Sequence, residues 1–342
     1  MLRPWAKCIT NRPGYGVTMS TALSALTDCI GSEMAAVDRM FTQELRSDLA
    51  CVNVLVKHVS RFRGKMLRPS LVLLWGKACG ELTDAHIVVS TVVEMVHMST
   101  LVHDDVLDEA ELRRKGATLN HLRGNESAVL LGDYLISHSY HLCSSLDSQY
   151  ASRVIGRTTN ELCEGELLQI ENRNNLELDE DTYLTIISRK TASLTSACCT
   201  LGAKMSDASP EMVQQANVYG RSLGVAFQIQ DDILDIVGDT RSVGKTLGID
   251  IEKVKLTLPI IHFLRTAPKE HRLLLRSLLE SREPDKVEKI RNLIIPSKSL
   301  SYARERAQHY VDLARASLKG LPEGEPRQVL DMIAEFVISR PM

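Results

Sequence analysis

The chain has 342 residues, 44% of them hydrophobic and 4% aromatic, with a formal net charge of -2, a balance that gives no reason to expect nucleic acid or a strongly anionic membrane as main partner. Its 8 cysteines show no CxxC spacing and no zinc-like intervals to histidine, so they read as reduced core thiols. No stretch of about 18 residues is free of polar groups, since Ile87 to Val102 is interrupted by Ser90, Glu94 and His97, which argues against a transmembrane segment.

Residues 1–18 hold Arg3, Lys7 and Arg12 with no acid before Asp28, and the Pro and Gly content of Asn11 to Gly16 opposes an amphipathic helix there. They read as a disordered leader, with Met19 a possible start. A cytoplasmic location is expected, with organellar import by the basic leader as the alternative. From residue 19 to 342 no linker or composition break divides the chain, so one domain is expected. Apolar residues recur at helical spacing in nearly every window and period-two alternation is scarce. The spacing predicts helices at 20–48, 67–79, 84–108, 126–145, 150–173, 181–204, 210–237, 254–265, 269–280, 284–294, 298–318 and 325–338. Thr83-Asp84, Ser209-Pro210 and Glu283-Pro284 supply plausible starts by capping residue or first-turn proline. The fold class that follows is an all-α, single-domain helical bundle around a central cavity.

Two of these helices carry the same acidic pentad, Asp104-Asp105-Val106-Leu107-Asp108 and Asp231-Asp232-Ile233-Leu234-Asp235. One helical turn brings the first and fifth residues onto one face, so Asp104 pairs with Asp108 and Asp231 with Asp235. Two such claws facing one another at about 6 Å would cost roughly 3 kcal/mol per like-charge pair at an effective dielectric of 20, unless cations intervene. All six carboxylates are candidate metal ligands. Magnesium suits them, because it takes one or two carboxylates, keeps several waters and completes its shell with phosphate oxygens. A single pentad could be solvated helix surface, but both copies follow apolar runs, where unpaired charge is expensive.

Cations accompany the claws. Arg113 and Arg114 follow the first pentad, Lys245 and Lys255 the second, and Lys65 and Arg68 flank the start of the helix at 67–79, where backbone N–H groups also favour anions. His97 lies two turns before the first pentad, within reach of a second phosphate. Gly244-Lys245-Thr246 imitates the end of a nucleotide P-loop, but Gly238 is one residue too far away and the preceding segment is helical, so that reading fails.

Together these residues resemble the trans-isoprenyl diphosphate synthase family. The resemblance covers about residues 60 to 260. It rests on GKMLRP at 64–69, HMSTLVHDDVLDEAELRR at 97–114, Gly132-Asp133, Lys190-Thr191, FQIQDDILD at 227–235, and Lys245-Thr246-Leu247-Gly248-Ile249-Asp250 with Lys255 and Thr257-Leu258-Pro259. It implies a prenyltransferase joining isopentenyl diphosphate to an allylic diphosphate. About three magnesium ions would link Asp104, Asp108 and Asp231 to the allylic diphosphate. Arg113, Lys190, Lys245 and Lys255 would grip that diphosphate. Isopentenyl diphosphate would bind Lys65, Arg68, His97 and Arg114, while Thr191, Phe227 and Gln228 would line the space where the allylic cation meets the double bond. The family also implies a homodimer. The chain departs from the family at Arg63-Gly64-Lys65-Met66, where GGKR is usual, and at Arg113-Arg114-Lys115-Gly116, where RRGK is common.

Product length is read from the helix before Asp104, whose rise of 5.4 Å per turn is about one extended isoprene unit. Ser99 and Thr100, with Val96, Val92 and Val93 beyond, are small or modest and leave no floor, which favours a long-chain product of roughly 6 to 10 units. Closure by Tyr134 or His138 would instead give geranylgeranyl diphosphate, and a geranylgeranyl or farnesyl diphosphate synthase is the alternative reading. A class I terpene cyclase would replace the second pentad by an Asn/Ser/Glu triad, and a non-catalytic partner subunit of a heteromeric prenyl synthase would lose carboxylates from one or both claws. This chain keeps all six.

Overall fold

The computed structural model describes residues 19–114, 116–238 and 248–339; the expected leader and Lys245 lie outside them. In chain order the elements are α1 (Met19–Glu44), α2 (Ala50–Ser60), α3 (Leu67–Cys79), α4 (Asp84–Leu107), a two-residue hairpin of β1 (Leu112–Arg113) and β2 (Gly116–Ala117), α5 (Leu119–Cys143), α6 (Gln149–Glu171) and α7 (Glu180–Ile187). A π-helical turn (Ser188–Ala192) leads into α8 (Ser193–Met205) and α9 (Pro210–Val237). There follow α10 (Ile249–Glu252), α11 (Leu258–Thr266), α12 (Lys269–Glu280), α13 (Lys286–Ile294), α14 (Ser299–Ser317) and α15 (Glu325–Ile338). The hairpin pairs antiparallel, Leu112 with Ala117 and Arg113 with Gly116. The expected all-α class stands.

Burial explains which helices are central. Leu71 to Trp75 of α3 are fully buried, as are Val92, Val93, Met95 and Val96 of α4, so these two helices are apolar almost all round and must be wrapped by others. Helix α4 packs on α1, α3, α5 and α8, and α9 packs on α8, α14 and the π turn. The Trp75 and Tyr219 rings meet edge-on at 5.5 Å, and the Tyr219 hydroxyl donates to the Leu330 carbonyl at 2.7 Å, tying α9 to α15. Among the described residues α4 alone has the length and apolarity of a membrane span, yet most of its surface is spent inside the bundle.

Several boundaries differ from the periodicity reading, each for a local reason. The helix expected at 20–48 ends at Glu44, and α2 begins anew at Ala50, because the Asn53 side chain takes the Ser47 backbone N–H at 3.0 Å and donates to its carbonyl at 2.6 Å. The helix expected at 126–145 begins seven residues earlier, crossing a kink at Gly124 whose φ of +80° is open to glycine. The stretch at 181–204 is split by the π turn. The helix expected at 254–265 begins only at Leu258, α11 being entered through Thr257 with Pro259 in its first turn, and the short α10 before it was not expected. Thr83 and His86 form a capping box, and the Ser209 hydroxyl accepts from Met212 N at 3.2 Å. Not all the thiols are core: Cys29, Cys143, Cys198 and Cys199 are buried, but Cys51 and Cys163 lie exposed on the outer faces of α2 and α6.

Candidate active site

The first pentad occupies the C-terminal end of α4. Asp104 is half-buried, and burial together with the nearby Glu166 and Asp108 carboxylates raises its pKa against the pull of Lys190. Asp108 is the residue that ends the helix. Burial opposes its ionisation too, but Lys255 Nζ at 2.8 Å and Lys253 at 3.6 Å outweigh it and hold its carboxyl below the usual carboxylate range. Asp105, about a hundred degrees round the helix, points into the bundle and takes Arg113 on both oxygens, Nη2 at 2.7 Å on Oδ1 and Nε at 3.0 Å on Oδ2.

The second pentad repeats this division. Asp232 is buried, accepts the Tyr183 hydroxyl at 2.6 Å and Gln228 Nε2 at 2.8 Å, and burial lifts its pKa far above the ordinary value. Asp235 accepts the backbone N–H groups of Gly248 at 3.0 Å and Asp250 at 3.4 Å. Asp231 is half-buried, and its charge is felt by Arg68. Of the six carboxylates expected as ligands, Asp105 and Asp232 are engaged by side chains of the protein, Asp105 by Arg113 and Asp232 by Tyr183 and Gln228. The reason is the 3.6-residue period: it turns the second residue of each pentad away from the face shared by the first and fifth.

What joins the two helices is the π turn. Lys190 Nζ is ion-paired with Glu166, accepts nothing, and donates to Gln169 Oε1 at 3.0 Å, with Asp104 at 3.8 Å. Burial lowers the pKa of this ammonium, but Asp104 and Glu166 more than reverse that, so it stays charged. The adjacent Thr191 hydroxyl donates to Gln228 Oε1 at 2.9 Å, and Gln228 in turn holds Asp232. Consecutive residues thus reach the two acidic helices, α4 and α9. Gly224 makes the approach possible, because a Cβ there would lie 2.5 Å from the Ala192 Cα. A second link runs through Lys255, whose backbone N–H donates to the Asp250 carbonyl at 2.8 Å while its Nζ holds Asp108. Lys253, which also reaches Asp108, was missed by the sequence reading; its only signal was its place beside Lys255.

The second cationic group assembles before α3. Lys65 is exposed, its Nζ 5.8 Å from the Phe336 ring centroid. Arg114 lies over Gly64, where a Cβ would meet its Nη2 at 2.6 Å, and donates to the Phe62 carbonyl at 2.5 Å. Arg68 is half-buried with its Nε lacking a hydrogen-bond partner. Burial and then the charges of Arg68, Arg114 and Arg113 keep His97 well below its usual pKa, so it is a neutral imidazole. Among these cations stands Glu94, which the sequence reading did not select. It is 2% exposed, and burial pushes its pKa up to about 7 in spite of Arg68, Arg63 and Arg114.

Of the residues expected to gauge product length, Val96 and Ser99 are fully buried, and the Ser99 hydroxyl donates to the Gly132 carbonyl of α5 at 2.8 Å. Thr100 is half-buried and bonded to the His97 carbonyl. The Tyr134 and His138 rings lie 5.5 Å apart, tilted by 38°, and look toward the α1–α2 connection: His138 is 3.6 Å from Glu44, and Tyr134 feels Asp48.

The described residues fit hard divalent cations in part. Asp104, Asp108 and Asp235 offer carboxylate oxygens with half-buried settings, the donor type that magnesium takes, and Asp231 shares the α9 face of Asp235. Among the described residues no three His, Cys, Asp or Glu side chains form a ready-made metal cage. Metal held here would complete its shell with oxygens from elsewhere, such as substrate phosphate and water.

Comparison with known proteins agrees with this arrangement. The polyprenyl synthetase family model matches residues 50–295. The octaprenyl diphosphate synthase of Escherichia coli is 32% identical over 319 residues, 93% of this chain and 99% of the relative. An all-trans-nonaprenyl-diphosphate synthase (geranyl-diphosphate specific) from Rhodobacter capsulatus is 35% identical over 312 residues, 91% and 96% of the two chains. The crystal structure of a decaprenyl diphosphate synthase from Rhodobacter capsulatus superposes with a TM-score of 0.88 at 33% identity, covering 93% of this chain and 98% of that one. A polyprenyl synthase from Caulobacter crescentus, complexed with calcium and isoprenyl diphosphate, gives 0.87 at 32% identity, with the same coverage. The paired acidic helices, the π turn between them and these likenesses over nine-tenths of the chain lead to one conclusion: this chain belongs to the polyprenyl synthetase family and is a prenyltransferase with the all-α isoprenoid synthase fold.

Proposed function

We propose that the chain condenses isopentenyl diphosphate with an allylic diphosphate, head to tail and trans, and repeats the step to make a long-chain polyprenyl diphosphate of roughly 6 to 10 units, a length argued from helix rise. The observation that carries the reading is the reach of Lys190 and Thr191 from one π turn to both acidic helices, which supports taking the two distant pentads as one site. Asp104, Asp108, Asp231 and Asp235 would hold magnesium, about three ions by family resemblance, and the metal would supply positive charge where the leaving diphosphate gathers negative charge.

The protein's own groups do the rest. Lys190 and Lys255, beside the first claw, grip the allylic diphosphate, with Arg113 and, by family resemblance alone, Lys245 as further cations. Because they are fixed before reaction, they favour the state in which the C–O bond has broken. Neutral His97 can donate a hydrogen bond to the second substrate beside Lys65, Arg68 and Arg114, whose charges attract its diphosphate. Phe227 offers an aromatic face and Thr191 and Gln228 offer oxygens to the allylic cation, without a strong nucleophile to trap it. The released diphosphate would take up the final proton as base.

A homodimer is supported by the apolar residues Leu122, Val129, Leu130 and Tyr140 exposed along α5, a face a second copy could cover. A cytoplasmic setting fits reduced cysteines. Purified protein incubated with Mg²⁺, labelled isopentenyl diphosphate and primers of several lengths, followed by product sizing, tests the whole reading. Label remaining in isopentenyl diphosphate with every primer would overturn it.

A further inference from the structure

Lys190 has a choice of anions. Its ammonium sits against Glu166 on α6, is steadied by Gln169 one turn further along that helix, and stops 3.8 Å short of Asp104. Helix α6 can hold it there because Gly165 faces the π turn: a Cβ at that position would lie 2.6 Å from the Lys190 backbone nitrogen and 2.8 Å from the Arg189 Cβ. The close approach plants Glu166 beside the lysine, and the side chains of both are largely shielded from solvent.

A lysine stem is flexible, and its ammonium settles on the nearest uncompensated anion. Without Glu166 that anion is Asp104. We propose that Glu166 is a positioning residue whose carboxylate holds the Lys190 ammonium away from Asp104, leaving the Asp104 oxygens open to a divalent cation while the lysine stays aimed at the allylic diphosphate. This rests on the reading of Asp104 as a metal ligand. Closing the gap from 3.8 Å to a direct contact of about 2.8 Å, at an effective dielectric of 20, deepens the lysine's hold on Asp104 by the equivalent of about tenfold in competing affinity.

The test is calorimetric titration of Mg²⁺ into the full-length protein carrying an allylic thiodiphosphate analogue that does not ionise, in wild type, Glu166→Ala, Glu166→Gln, and each again in a Lys190→Ala background. Expected is about tenfold weaker Mg²⁺ binding in Glu166→Ala. A smaller loss is expected in Glu166→Gln, whose amide oxygen still accepts from the lysine, and no effect of either change once Lys190 is gone. Far-UV circular dichroism checks the fold, and if Glu166→Ala fails to fold the Gln variant carries the same cycle. Loss persisting in the Lys190→Ala background would mean that Glu166 acts on the cation by its own charge, and would overturn the proposal, as would unaltered binding in both variants. Wild type that binds no Mg²⁺ would instead sink the metal reading itself and this proposal with it.

Discussion

Glu94→Gln gives a sharp test of how the second cationic group is built. Glu94 is buried among Arg63, Arg68 and Arg114, and its pKa is raised to about 7 from an ordinary 4.5, with desolvation the dominant cause. An acid whose folded pKa lies above its unfolded value binds the proton more tightly in the folded state, so the protein loses stability as pH rises from 4.5 and the loss is complete above 7. At 1.36 kcal/mol per unit, the full cost is about 3 kcal/mol, most of which accrues between pH 5 and pH 8. Glutamine cannot ionise and escapes that slope. Urea unfolding of both proteins at half-unit steps across this range is expected to show the Gln variant gaining on wild type by about that amount toward alkaline pH. Titrating groups distant from Glu94 cancel in the difference. Parallel curves would refute the burial argument, and a gain toward acid pH would reverse its sign.

Further outcomes follow from the same geometry. Asp104→Ala with Asp108→Ala is expected to lower turnover by several orders of magnitude while far-UV circular dichroism stays that of wild type, since charge stabilisation is lost and packing is not; near-normal turnover would remove the first claw from the chemistry. Thr100→Phe is expected to shorten the product in a chain-length assay, and an unchanged length would refute the helix-ruler argument. Ser99→Phe is expected to cost about 1 to 3 kcal/mol of stability as well, because Ser99 is fully buried against the α5 backbone at Gly132. Gly224→Ala pushes a methyl group to within 2.5 Å of the Ala192 Cα, so it is expected to displace the π turn and lower kcat. Wild-type kcat in that variant would show the turn to be dispensable.

Helix periodicity alone located α3, α9 and α12 with the boundaries the structure gives them, and the i, i+4 spacing alone paired Asp104 with Asp108 and Asp231 with Asp235. These are properties of a few neighbouring residues, governed by side-chain direction on a helix, and they need no knowledge of the rest of the chain. The inward turn of Asp105 onto Arg113 and of Asp232 onto Tyr183, the burial of Glu94 among arginines, the reach of Lys253 to Asp108 and the hold of Glu166 on Lys190 are of another kind. Each joins residues that belong to different helices or turns, and each depends on how closely two backbones approach, down to a glycine that lets α6 touch the π turn. Burial and charge pairing at such contacts arise only when the helices pack, so a linear pattern carries the carboxylates and cations but not which of them will meet.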